Sequence, residues 1–248
     1  MGGKFLHFLG WRLTLISAFK ILNPFYFLKY ARILRPVVGL ICVSSLLIGL
    51  YFSFTSPEDY QQGEMVRIMY IHVPMAWLSL MIFVIMGLSS ISCLVWRARF
   101  AFFIALASAP IGASFALGTL VTGMIWGKPI WGAWWAWDAR LTSMLILFIF
   151  YVSFILIARG SKSIQKIEKP SCVIAILGMI NVPIVKFSVD LWHSLHQPAS
   201  ILRAGGSSIH HSMLMPLLFM FIANLTLYLY LLSLRVETLV NTLEKREQ

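Results

Sequence analysis

The sequence predicts an all-α membrane protein that crosses the bilayer with six helices and keeps both termini in the cytoplasm. Three observations support this prediction: the composition, the number of long apolar runs and the distribution of basic residues. Of the 248 residues, 59% are hydrophobic and only 12% are charged, whereas soluble domains carry about 25% charged residues. The net charge of +11 is interpreted as a topology signal, not as a surface for nucleic acid.

Six apolar runs are long enough, or nearly so, to cross the hydrocarbon core as helices. They cover residues 36–54, 73–96, 100–125, 141–158, 171–187 and 213–234. The fifth run is the shortest, because Asn181, Pro183 and Lys186 interrupt it. Lys186 has the i, i+4 spacing for an ion pair with Asp190. Only residues 97–99 separate the second run from the third, which predicts a tight antiparallel hairpin.

Basic residues predict the orientation of these spans. Fifteen of the 20 lysines and arginines fall in the N-terminal tail, the 97–99 turn, the 159–169 loop and the C-terminal tail. Such an excess marks the cytoplasmic side. The expected division is a basic, hydrophobic tail at residues 1–35, a six-span domain at 36–235 and a cytoplasmic tail at 236–248. The basic tails are also suited to contact membrane lipid.

A tryptophan-rich segment lies between the third and fourth runs, on the predicted outer side. Five of the nine tryptophans fall within residues 126–137. If the segment is helical, Trp131, Trp134, Trp135 and Asp138 share one face at i, i+3, i+4, i+7 spacing. That face would suit a large, flat, apolar ligand. The alternative is an interfacial aromatic belt, which does not account for so dense a cluster beside an aspartate and an arginine.

Histidines provide candidate metal ligands on the same side. His72 precedes the second run and His196 follows the fifth, so the topology brings both to the outer face. Two neutral imidazoles can ligate haem iron from its two faces. His193 is an alternative to His196, because the two have i, i+3 spacing. His210 and His211 are expected to mark the start of the sixth span.

Charged residues near the tryptophans are candidates to bind the carboxylates of such a ligand. Arg67, Lys128 and Arg140 are the candidates on the outer side, and arginine can engage a carboxylate through two hydrogen bonds. Simple snorkelling to the head groups is the alternative for each of them. Asp138 is expected to orient a neighbouring donor, to cap the fourth span or to pair with a partner protein; the sequence leaves these open.

The three cysteines, Cys42, Cys93 and Cys172, fall inside apolar runs and are expected to be small buried residues. The chain has no C-x-x-C-H motif, so it lacks that site for attaching haem to itself.

The string at residues 131–142 resembles the W-G-x-W-W-x-W-D-x-R-L-T signature of haem-handling membrane proteins. Flanking residues 60–63, 70–74, 109–113 and 195–197 narrow the resemblance to the cytochrome c maturation protein C (CcmC) family. It extends over residues 36–235. The tail of residues 1–35 is longer than the family leads us to expect, and a histidine at position 193 is unexpected.

The resemblance implies a protein of the bacterial inner membrane, not an enzyme, that binds haem b non-covalently on its periplasmic face. It would deliver that haem to the haem chaperone CcmE, with CcmA, CcmB and CcmD as further partners. The implied iron ligands are His72 and His196. The implied haem-contacting residues are Trp131, Trp134, Trp135, Trp137, Asp138, Arg140 and Arg67.

Three other functions stay open from the sequence. A b-type electron-transfer cytochrome usually places histidine pairs inside its helices, and no run here has a central histidine. A haem permease would need polar groups near the midplane, where only Asn181 and Lys186 qualify. A haem lyase or cytochrome c synthase component shares the tryptophan-rich motif but is typically larger.

Overall fold

The computed structural model describes residues 23–192, 194–196 and 209–247. Within these ranges the chain forms six long helices and no β-strand. The helices are α1 (Pro24–Thr55), α2 (Met69–Trp96), α3 (Arg99–Trp131), α4 (Ala139–Arg159), α5 (Ile164–Leu191) and α6 (His211–Glu247), with a 3₁₀ turn at Glu64–Ile68 before α2. All six are long and apolar enough to cross a membrane, which confirms the predicted fold class.

The helices extend beyond the predicted runs, because hydropathy marks only the part that matches the hydrocarbon core. The first helix shows this most clearly. It begins at Pro24, where the Asn23 side chain accepts a hydrogen bond from the Phe25 N–H at 2.9 Å. The boundary expected at residue 35 therefore lies inside α1. The division into tail and membrane domain stays a prediction, and residues 1–22 lie outside the described ranges.

Helices α2, α3 and α4 each pack against the next helix in the chain, whereas α1 packs mainly against α6. Near the start of α1, Arg35 donates to the carboxylate of Glu237 and to the Ser233 hydroxyl. Further along, the Cys42 thiol contacts the Ala223 carbonyl. Since increasing numbers on α1 meet decreasing numbers on α6, the two helices are antiparallel. Their pairing brings the first and last spans together.

The connection between α2 and α3 consists of Arg97 and Ala98 alone, which confirms the predicted hairpin. Arg97 closes α2 in the left-handed region with φ of 54°. A non-glycine residue rarely adopts this conformation, so the tight turn is made by the backbone of an arginine. The α2–α3 pair forms the centre of the bundle: α5 and α6 pack on α2, and α4 and α6 pack on α3.

Three fully buried tyrosines join helices across the interior. Tyr151 of α4 donates to the Ser79 carbonyl of α2 at 2.6 Å. Tyr228 of α6 lies 3.0 Å from the Ser108 hydroxyl of α3, and Tyr70 shares a hydrogen bond with Ser56. Each hydroxyl therefore has a partner, as a polar group in an apolar interior requires.

Polar residues in α5 behave differently from one another. Asn181 is buried and donates to the Ser143 carbonyl of α4 at 2.8 Å, so it joins two helices. The prediction of an ion pair between Lys186 and Asp190 is wrong, because these two residues form none in the described part of the chain. Lys186 instead borders a cavity.

The three cysteines are free thiols. Cys93 and Cys172 are buried and Cys42 is partly buried, which fits their expected packing role.

Candidate functional site

The tryptophan-rich segment, residues 126–137, is helical only as far as Trp131. Helix α3 ends at Trp131, and Gly132 follows with φ of 76°, a left-handed conformation that glycine adopts without strain. The Lys128 ammonium donates to the Gly132 carbonyl at 3.0 Å and completes the helix end. Residues 133–138 are non-helical. The expectation of one helical face carrying Trp131, Trp134, Trp135 and Asp138 is therefore wrong.

The four tryptophans of residues 131–137 occupy different surroundings as a result. Trp131 borders an internal cavity. Trp135 packs against the hydrophobic core, and its indole N–H is buried with no hydrogen-bond partner among the residues that the structure describes. Trp134 and Trp137 are 56% and 79% exposed. Trp137 keeps an edge-on contact with Trp135, with ring centroids 5.5 Å apart. The segment thus has an inner and an outer part.

The cavity has a volume of about 510 Å³ and lies at the end of the bundle where the tryptophan-rich segment is found. This volume is within the range of about 300–1,000 Å³ typical of small-molecule sites. Helices α2 to α5 contribute to its lining, together with residues 195 and 196 after α5. His72 and His196 both border it, although 123 residues separate them in the chain. The structure therefore brings together the two predicted iron ligands.

His196 is held by Asp138. Its Nδ1 lies 3.0 Å from Asp138 Oδ2. The Ser194 hydroxyl donates to the same oxygen at 2.7 Å and accepts from the His196 backbone N–H at 3.2 Å. Since a carboxylate only accepts hydrogen bonds, Nδ1 carries the proton and the lone pair of the neutral ring is on Nε2. This is the arrangement in which a carboxylate orients a metal-binding histidine.

Asp138 serves a second element at the same time. Its other oxygen, Oδ1, accepts from the Leu141 N–H at 2.8 Å and so caps the start of α4. Two of the roles expected from the sequence, orienting a donor and capping the span, are therefore both present. Burial favours the neutral acid, but hydrogen bonds from Leu141, Ser194 and His196 outweigh it and lower the pKa of Asp138. Burial in turn lowers the pKa of His196, despite the opposing effect of Asp138.

His72 is held in the same tautomer by a different group. Its Nδ1 lies 3.0 Å from the Thr122 hydroxyl of α3. That hydroxyl donates its single hydrogen to the Gly118 carbonyl at 2.7 Å, so it accepts from the imidazole N–H. The lone pair of His72 is then on Nε2, as in His196. Both histidines consequently have the nitrogen needed to bind a metal free of a proton.

Each histidine also contacts a tryptophan edge-on. The ring centroids of His72 and Trp126 are 5.6 Å apart, and those of His196 and Trp131 are 4.8 Å apart. Trp126 in turn donates from its indole N–H to Gln62 at 2.9 Å. Gln62 belongs to a turn over residues 59–63, in which the Asp59 carboxylate accepts two backbone N–H groups. This turn contributes Gln61 and Gln62 to the cavity lining.

The predicted cations separate into two groups. Arg140 borders the cavity, and its Nε donates to the Ser188 hydroxyl at 3.4 Å. Arg67 instead donates to the Phe54 carbonyl and pairs with Glu64, so it ties the end of α1 to the 3₁₀ turn. Lys128 caps α3, as described above. Neither Arg67 nor Lys128 contributes to the cavity lining.

Sequence reasoning missed several residues of this site, namely Gln62, Thr122, Trp126, Lys186 and Ser194. Trp126 was visible as part of the tryptophan cluster, and Ser194 as a neighbour of His196. Thr122 carried no signal, because its partner is 50 residues away. His193 lies outside the described residues. Helix α6 begins at His211, which confirms the expected position of His210 and His211 at its start.

Comparison with known proteins shows the family of this chain. The family model described as heme exporter protein C matches residues 17–248 of the chain. The chain belongs to this family. The heme exporter protein C of Bradyrhizobium diazoefficiens is 46% identical over 229 residues, which cover 92% of this chain and 86% of the relative. The Escherichia coli protein of the same name is 37% identical over 212 residues, 85% of each chain.

A ccmC-like mitochondrial protein of Marchantia polymorpha, named for cytochrome c biosynthesis, is 43% identical over 206 residues, which cover 81% of this chain and 86% of the relative. Members of the heme exporter protein C family are thus similar to this chain across most of its length. Together with the six apolar helices, the bacterial relatives identify a multi-pass protein of the inner membrane.

Proposed function

We propose that this protein binds haem b between His72 and His196 and delivers it to the haem chaperone CcmE during c-type cytochrome biogenesis. The observation that carries the proposal is that both histidines border one cavity with Nδ1 already engaged. Their Nε2 atoms are the remaining donors. Bound haem is the cargo here, and it would supply the iron to which the two imidazoles bind.

The residues around the histidines fit such a cargo. The lining is largely apolar and aromatic, with Trp126 and Trp131 beside the two imidazoles. No aspartate or glutamate contributes to the described lining, while Arg140 does. A flat apolar molecule with acidic substituents matches this combination. The exposed Trp134 and Trp137 would then face the chaperone and lie outside the haem itself.

The spectrum of the purified protein tests the binding step. We expect the wild type to carry haem with the spectrum of bis-histidine iron, and the double variant His72→Ala/His196→Ala to lose it. The matched control is His210→Ala/His211→Ala, which removes two exposed imidazoles that do not contribute to the described cavity lining and should keep the spectrum. A wild type without haem, or full haem retention in the first variant, would contradict the proposal.

The delivery step needs its own measurement. Co-expression with CcmE should yield chaperone that retains haem on a denaturing gel, and the yield should fall when His72 and His196 are replaced. CcmA, CcmB and CcmD are the proposed further partners, and they should co-purify with the tagged chain. Haem-loaded chaperone at the wild-type level in the absence of this protein would contradict the delivery role.

The proposed orientation places this site on the periplasmic side, with both termini in the cytoplasm. The variant Lys128→Cys carries a single thiol near the cavity, which should react with a membrane-impermeant maleimide in intact spheroplasts. The variant Lys162→Cys carries its thiol in the loop between α4 and α5, and this thiol should react only after lysis. The native thiols are replaced by alanine in both variants. The reverse labelling pattern would invert the topology and place the site on the cytoplasmic side.

A further inference from the structure

The charges around the cavity are unevenly distributed. Within the described ranges, its charged lining residues are Arg140 and Lys186, and the two histidines beside them are neutral. Arg140 belongs to α4 and Lys186 to α5. Helix α2 contributes only uncharged side chains beside His72, namely Met69, Val73, Ala76, Trp77 and Leu80. The cationic groups of the lining therefore come from α4 and α5.

Arg140 lies where a cation is not favoured by the fold alone. It is the second residue of α4, and the positive end of the helix dipole disfavours a cation there. Asp138 and Asp190 attract it electrostatically. Neither forms an ion pair with it among the described contacts, and its side-chain hydrogen bond goes to the neutral Ser188. Its guanidinium thus retains donors for an anion.

Lys186 is exposed and belongs to the last turns of α5. At about 1.5 Å per residue it lies roughly 7 Å from the helix end, a position from which a lysine on the lipid side would snorkel to the head groups. Lys186 instead contributes to the cavity lining. Within the described ranges it forms no ion pair with Asp190, although that carboxylate is one helical turn away. An anion inside the cavity would give the Lys186 ammonium a charged partner.

We propose that Lys186, together with Arg140, recognises the two propionates of the haem and fixes the direction in which its acidic edge points. The inference rests on the proposed function and adds a specificity-determining residue to it. A carboxylate edge directed at Arg140 and Lys186 leaves the rest of the tetrapyrrole to the uncharged part of the lining. The site would therefore select a ligand that is acidic on one edge only, and would bind it in one orientation.

Binding of haem and of its dimethyl ester, in which both propionate charges are removed, tests this inference. Both ligands are titrated into detergent-purified apoprotein and followed by the Soret band. The wild type should prefer the free acid on the order of tenfold or more, as expected for charge-assisted hydrogen bonds. Lys186→Met should weaken free-acid binding on the order of tenfold and leave ester binding unchanged, while Lys186→Arg should keep the wild-type preference.

Lys128→Met is the matched control, because it removes a lysine at the same end of the bundle that caps α3 and does not border the cavity. It should keep the wild-type ratio of the two affinities. Equal affinity of the wild type for the acid and the ester would overturn the inference, and so would an unchanged ratio of these two affinities in Lys186→Met. A bis-histidine spectrum in the same samples would still support the haem site. Failure of the wild type to bind either ligand would instead overturn the proposed function.

Discussion

The Nδ1 atom of His196 lies 3.0 Å from Oδ2 of Asp138, and the second oxygen of the same carboxylate caps helix α4. A single side chain thereby fixes both the tautomer of a candidate iron ligand and the start of a membrane-spanning helix. The side chain of Asp138 is only 8% exposed and that of His196 17%, so little water competes for either bond. The orientation of His196 is consequently set before any ligand arrives.

Replacing Asp138 by asparagine separates these two roles. The amide oxygen still accepts from Leu141 N–H, because asparagine is as good a helix cap as aspartate. The amide NH₂ then donates to Nδ1 and favours the tautomer with the proton on Nε2. A protonated Nε2 has no lone pair for iron. We expect about 10- to 100-fold weaker haem binding with little change in Tm, measured by Soret titration and thermal unfolding. Glu58→Gln, at an exposed carboxylate, is the control, and unchanged haem affinity in Asp138→Asn would contradict the role.

Thr122 should act on His72 in the same way, through its hydroxyl oxygen. Thr122→Val keeps the side-chain shape but removes the acceptor of the Nδ1 proton, so we expect haem affinity to fall about tenfold. Thr122→Ser retains the hydroxyl and should restore most of the affinity. Resonance Raman spectra of the iron–histidine bonds check that the ligation itself has changed. Identical affinities for the valine and serine variants would exclude this role for Thr122.

Two glycines of α3 allow a matched test of packing. A Cβ at Gly112 would collide with the ring of Tyr151, which its hydrogen bond to Ser79 holds in place. A Cβ at Gly118 would meet only the flexible end of Met75. We expect Gly112→Ala to cost about 1–3 kcal/mol through overpacking, seen as a lower Tm in detergent. Gly118→Ala should cost less or even stabilise the helix, and the opposite order would show that the Tyr151 contact yields easily.

Trp131 should matter for haem affinity more than its exposed neighbours do. Its edge-on contact with His196 is of a kind worth about 0.5–1.5 kcal/mol, so Trp131→Ala should weaken binding by roughly two- to tenfold. Trp137→Ala should keep the haem affinity, because the side chain is 79% exposed and lies outside the cavity lining, and should reduce transfer to the chaperone. Soret titration measures haem affinity, and the yield of haem-loaded chaperone measures transfer. Equal loss of haem in both variants would contradict these separate roles of Trp131 and Trp137.

The helices and the meeting of His72 with His196 could be predicted from the sequence, because both depend on long-range regularities of hydropathy and charge. Apolar runs of sufficient length have few alternatives to a spanning helix. An even number of spans between residues 72 and 196 then places these residues on one side. The helix boundaries could not be predicted as well, since polar residues continue a helix beyond the bilayer without any change in periodicity.

The end of helix α3 inside the tryptophan-rich segment is predictable from the sequence. Trp131, Trp134 and Trp135 match a helical period, but Gly132 interrupts it in the position typical of a helix end, with Lys128 in the last turn. The roles of Thr122 and Lys186 could not be predicted. They depend on how α3 and α5 rotate about their axes within the bundle, and Lys186 had a closer apparent partner in Asp190.

The left-handed turn at Gly132 gives the tryptophan-rich string a consequence that its letters do not show. Immediately before the turn, Trp131 borders the cavity; beyond it, Trp134 and Trp137 are exposed and Trp135 packs against the core. One short string therefore contributes to both the cavity and the outer surface. A molecule held inside and a protein resting outside would contact the same few residues, so this segment would link the two without any rearrangement of the six helices.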